Sequence, residues 1–125
     1  MKRTVLVLIV ALSAIAGGKP CKPPAVNFSV FVDDFTDQVP HAVLVWQISP
    51  PKAKVVIERA DSFDGGASFG DWHVVAVQPP NASAWLDYGV NFGTPYLYRI
   101  GTANNCGETW TGPLWFQYCG GLACP

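Results

Sequence analysis

The chain has 125 residues, room for one domain, and half of them are apolar, enough to build a core, so a disordered chain is excluded. Its formal charge is −1, and removal of a leader holding Lys2 and Arg3 leaves six basic against nine acidic side chains, a net −3. Basic residues cluster only as Lys19 with Lys22 and Lys52 with Lys54, which is not the basic stripe of a nucleic-acid binder, and nucleic acid is excluded as a partner.

Residues 1–16 read as a secretory signal peptide, with Lys2 and Arg3 as its charged start, 4–15 as its apolar middle and Ala14-Ile15-Ala16 as a small-residue cleavage site. The run is shorter than the about 20 apolar residues that span a bilayer, so no membrane span is expected after cleavage. The mature chain is expected to be secreted, to the exterior or the periplasm. Gly18-Lys19-Pro20 before Cys21 lacks the small and apolar residues of a lipid-attachment site. Residues 17–24 form a Pro-rich tether that its Lys-Pro and Pro-Pro steps hold extended.

From Val26 the chain alternates, Val26, Phe28, Val30 and Val32 pointing one way and Asn27, Ser29 and Phe31 the other, as a half-buried strand requires. After Asp33 and Asp34 break this run, a second strand at 42–48 puts Ala42, Leu44, Trp46 and Ile48 on one face, and Ser49-Pro50-Pro51 stops it. Further strands are expected at 54–60, 72–78, 83–88, 95–104 and 108–118, separated by Gly, Pro, Asn and Asp clusters. The longest break, 61–71, holds Gly65, Gly66 and Gly70 and reads as a mobile connection. Seven short strands with turn signals between them predict an all-β, antiparallel, two-sheet sandwich.

Export places Cys21, Cys106, Cys119 and Cys124 in an oxidising compartment, where two disulfides are expected. A zinc site is disfavoured, since no cysteine pair has two-residue spacing, and His41 falls near the start of one strand and His73 inside a different one. Spacing leaves all three pairings open.

Serines 29, 49, 62, 68 and 83 include none in a Gly-x-Ser-x-Gly turn, so no nucleophile set with His41 or His73 is expected. Asp33, Asp34 and Asp37 lie in a connection without signs of the cleft that acid–base work needs. Asp61, Asp64 and Asp71 do not follow a calcium-loop pattern, and Asp64-Gly65-Gly66 is a tight-turn sequence. The chain is thus expected to be no enzyme and to take no metal or cofactor. Asn27-Phe28-Ser29 and Asn81-Ala82-Ser83 are N-glycosylation sequons, relevant only in a eukaryotic secretory pathway.

Trp46 in the second strand and Tyr96-Leu97-Tyr98-Arg99-Ile100 with Ala103-Asn104 in the sixth resemble the landmarks of a fibronectin type III domain, an immunoglobulin-like sandwich, over residues 25–118. Glu58-Arg59-Ala60, Asp64-Gly65-Gly66, Trp72 and Ala76 are similar to bacterial versions of the module. The four cysteines and the Trp-rich last strand depart from it. The resemblance implies that Leu44, Trp46, Ile57, Trp72, Tyr96 and Tyr98 belong to the core. It makes Tyr96 a corner tyrosine, hydrogen-bonded back to the connection at 90–93. It also sets Cys21 beside Cys106 at one end of the sandwich. The last strand carries Cys119 about ten residues, roughly 33 Å, from Cys106, far beyond the ~6 Å that a bridge allows. The pairing so implied is Cys21–Cys106 and Cys119–Cys124, the second closing a Cys/Gly tail at 119–125.

Sixteen aromatic residues are many for this size. Trp110, Trp115, Phe116 and Tyr118 crowd the last strand, and consecutive Trp115 and Phe116 must point to opposite faces, so at least one of the four is expected to meet water. Such a surface suits stacking on sugar rings or anchoring a protein. The expected function is a secreted, non-catalytic module that binds a protein or polysaccharide at the cell exterior, as adhesion and spacer domains of the resembled family do. The alternative is a structural subunit that self-associates through an edge strand into a surface layer or filament.

Overall fold

The computed structural model describes residues 25–32, 39–49, 53–120 and 124. The leader, the tether with Cys21, and Asp33, Asp34 and Asp37 lie outside the described residues. Seven strands follow in order: β1 (Val26–Phe31), β2 (Ala42–Ile48), β3 (Val55–Asp61), β4 (His73–Gln78), β5 (Ala84–Asp87), β6 (Pro95–Asn104) and β7 (Gly107–Gln117). All strand pairs are antiparallel, in a three-stranded sheet β1-β2-β5 and a four-stranded sheet β4-β3-β6-β7. The described residues form an all-β sandwich.

The alternation of β1 and β2 is what makes their sheet one-sided. Ala42, Leu44 and Trp46 are buried, Phe28, Val30 and Ile48 pack against them, and Asn27, Ser29 and Gln47 face water. Leu44, Trp46, Ile57, Tyr96 and Tyr98 lie together in the core, with Val55, Ile100 and Phe116. Trp72 does not. It is half-buried on the outer face of the four-stranded sheet, because it shares a face with Val74, which lies opposite the outward-pointing Glu58.

Between the sheets sits one buried polar network. Asp87, on β5, accepts from Arg59 Nη1 of β3 at 2.8 Å, from the Tyr98 hydroxyl of β6 at 2.6 Å and from the Gly89 amide at 2.8 Å. Arg59 Nε also donates to Asp61 at 2.8 Å, and its guanidinium lies 4.8 Å over the Tyr96 ring. Burial disfavours the charged guanidinium, but bonds to Asp61 and Asp87 outweigh this and raise its pKa above the ordinary arginine value. Burial first, then the Asp87 charge, push the Tyr98 phenol well up.

The Tyr96 hydroxyl accepts from the Asn91 amide at 2.7 Å, within the connection expected to hold its partner. Cys119 and Cys124 are disulfide-bonded with 5.4 Å between Cα atoms. Cys106 is disulfide-bonded too, and its expected partner Cys21 lies outside the described residues.

The 61–71 connection is knit from within. Asp64 accepts from the Ser68 hydroxyl at 2.6 Å, the Ser68 amide at 2.9 Å and the Ser62 hydroxyl at 2.9 Å, while the Gly66 amide donates to Ser62 Oγ at 2.8 Å. Those bonds, the Ser68 hydroxyl foremost, hold the Asp64 carboxyl down at about 2. Its oxygens organise a turn.

Candidate binding surface

The register of β7 against β6 places the β7 side chains relative to each sheet face. Thr111 lies opposite the inward Ile100, and its hydroxyl donates to the Val26 carbonyl of the other sheet at 2.9 Å. Trp110 therefore points outward. Between Tyr98 and Ile100 the pairing with β7 shifts, with Gly112 and Pro113 set against Arg99, and this bulge resets the alternation. Leu114 and Phe116 then face inward, and Trp115 joins Trp110 on the outer face although the two are an odd number of residues apart.

Two of the four aromatics expected to supply a surface are thus core residues. Phe116 is buried, with its ring edge-on to Tyr98 at 6.2 Å. Tyr118 is buried between the rings of His41 and Phe92, at 6.2 and 5.8 Å, and its carbonyl accepts from the Gly93 amide at 2.8 Å. Both follow from the reset phase of β7 beyond Pro113.

The outer face has a filled centre. Arg99 of β6 lies between two indoles, 4.4 Å from the Trp72 ring and 4.5 Å from the Trp110 ring. Its Nε and Nη2 both reach Glu58 Oε1, at 2.8 and 2.6 Å, so the buried carboxylate is paired. Trp110 lies flat over the backbone of Gly101, where an added Cβ would come within 2.6 Å of the ring, and its Nε1 donates to Glu108 at 3.0 Å. Stacking and hydrogen bonding hold Trp110 and Trp72 within the protein itself.

Trp115 stands apart from this stack. It is 52 % exposed, opposite Leu97 in register, and its ring meets Phe69 edge-on at 5.8 Å. The indole reaches the 61–71 connection at Gly66, whose φ of +99° and lack of Cβ both matter, since a Cβ would lie 2.6 Å from Trp115 Cη2. The knit turn around Asp64 thereby presents Trp115 as a supported, open aromatic plane. Along β6 it lies about four residues, or roughly 13 Å, from Trp110.

A depression of about 480 Å³ lies on the other sheet, lined by Asn27, Ser29, Gln47 and Ser83 among others, where the short β5 ends and leaves β2 uncovered. Among the described residues no three His, Cys, Asp or Glu side chains gather as metal ligands, and no helix is long and apolar enough to cross a membrane. Compared with known proteins, the sequence matches no family model and no curated protein.

Proposed function

We propose that the chain is an exported, non-catalytic interaction module of the fibronectin type III kind, holding a protein or polysaccharide at the cell exterior. The observation that carries the binding role is Trp115, a half-exposed indole held in place by Phe69 and Gly66 on a sheet face whose other charges and rings satisfy one another. A large aromatic that the fold positions yet leaves wet is the usual anchor of such contacts. The three-plus-four strand order and the Tyr96–Asn91 bond support the fibronectin type III reading. The Cys119–Cys124 bridge suits an oxidising compartment, in keeping with the leader read at 1–16.

The test is to pass the folded protein, bridges intact, over arrays of polysaccharides, cell-wall fractions and exterior proteins. A ligand retained by the wild type should be lost with Trp115→Ala, by about tenfold or more in affinity. Trp110→Phe should weaken it far less, because Trp110 serves the Arg99 stack. Binding that survives Trp115→Ala intact would remove this face from consideration.

A further inference from the structure

We infer that β4 pairs, antiparallel, with β4 of a second copy of this chain, joining two four-stranded sheets into one. β4 ends the order β4-β3-β6-β7, so among the described residues one side of its backbone has no strand beside it. Edges of this kind are normally blunted by charges, proline, short length or a covering element. The other three edges of this sandwich are so treated. β5 has four residues, β7 carries Glu108 and the Gly112–Pro113 bulge, and β1 is tied to β7 through the Thr111–Val26 bond.

β4 itself reads His-Val-Val-Ala-Val-Gln, without proline, lysine or carboxylate. It has a bulge against β3, where Ile57 pairs with Ala76 and Glu58 with Val74. That extra residue, Val75, packs toward the core, and its insertion sets Val74 and Val77 on the same outer face, 45 and 52 % exposed. The bulge here supplies an apolar edge.

The strand is complementary to itself under a two-fold axis between Val75 and Ala76, which sets His73 opposite Gln78, Val74 opposite Val77 and Val75 opposite Ala76 of the second copy. Both exposed valines of each copy then meet a valine, and no like charges face each other. Charges flanking the strand select the antiparallel sense. Asp71 precedes β4, and Lys54 adjoins the far end through the Val55–Gln78 pair, so antiparallel pairing brings the Lys54 end of one copy to the Asp71 end of the other. Parallel pairing sets like with like. One strand pair is a small interface, so the dimer is a weak, concentration-dependent one. It displays two Trp115 planes on one continuous outer face, which gives a repetitive ligand two points of attachment.

Two double variants test this, Val74→Lys with Val77→Lys and Val74→Glu with Val77→Glu, followed by mass in solution against concentration. Wild type should rise from monomer toward dimer. Each variant alone, with like charges opposed twice, should dimerise at least about tenfold more weakly, and an equimolar mixture should recover the dimer. A wild type that stays monomeric to about 1 mM, or a Lys variant that dimerises as well as wild type, would overturn the proposal. Should either variant fail to fold, amide exchange on the wild type decides: β4 amides must slow as protein concentration rises, and unchanged rates rule the pairing out.

Discussion

Asp87 is the residue at which the two sheets depend on each other, because one carboxylate on the three-stranded sheet satisfies Arg59 and Tyr98 on the four-stranded one. Its side chain is 5 % exposed and that of Arg59 10 %, so removing Arg59 strands a buried carboxylate, and removing Asp87 leaves Arg59 to Asp61 alone and takes the acceptor from the Tyr98 hydroxyl. Asp87→Ala is expected to cost about 3–5 kcal/mol, a large part of the stability of a small domain, whereas Tyr98→Phe, which leaves the ion pair whole, should cost about 1–2 kcal/mol. Urea denaturation of both variants distinguishes a shared network from independent contacts. The phenol adds a pH dependence. Its folded pKa lies above the ordinary value near 10, so its contribution is complete below pH 10 and is lost as pH climbs beyond. Tyr98→Phe should therefore flatten the alkaline decline in melting temperature, and an unchanged decline would assign it to other groups. Trp46→Ala should cost about 3–5 kcal/mol by opening the core. Trp46→Phe should cost less, since the buried Trp46 Nε1 has no hydrogen-bond partner among the described residues and phenylalanine removes that donor.

At the scale of elements, the 61–71 connection and β7 together make the aromatic surface, and the connection is tunable from a distance. Gly66→Ala forces a side chain into a positive φ and against Trp115, which should cost roughly 1–2 kcal/mol and shift the fluorescence of the displaced indole. Ligand binding should fall with it, although Trp115 itself is untouched. The turn also responds to acid. Asp64 titrates near 2 when folded, below its ordinary value, so its support is present above about pH 4 and is withdrawn as pH falls toward 2. Asp64→Asn should remove that acid-induced change in Trp115 fluorescence. The strands themselves were legible, since period-two alternation and Gly or Pro breaks place all seven within a few residues of where they form. Which face a residue takes was less so. Trp110 and Trp115 share a face only through the bulge at Gly112 and Pro113, and Val74 and Val77 only through the bulge at Val75; alternation counted along a sequence has no term for an inserted residue. Trp72 read as core for a related reason, because nothing local shows that Arg99, two strands away, would be its partner.

Across the whole molecule the aromatic residues divide by partner. Those facing the sandwich interior close the core, those beside Arg99 seal the outer sheet, and Trp115 meets water, as Phe31, Phe63, Tyr88 and Phe92 do elsewhere on the surface. The C-terminal end is secured separately: Gln117 Nε2 donates to the Gly93 carbonyl at 2.8 Å, Phe92 and Tyr118 form an isolated bridge, and the Cys119–Cys124 disulfide follows directly. Because that bridge spans a sequence separation of only 5, the chain-entropy contribution is small, about 2 kcal/mol. Cys119→Ser with Cys124→Ser should thus lower stability by no more than that and leave ligand binding at Trp115 intact. The neighbouring Tyr118, by contrast, is buried against His41 and Phe92, and Tyr118→Ala should cost about 3–5 kcal/mol. Thermal melts of the two variants side by side separate covalent closure from packing. If the serine variant loses as much as Tyr118→Ala, the tail is held by its disulfide, and the packing of β7 against the 90–94 connection depends on the bridge.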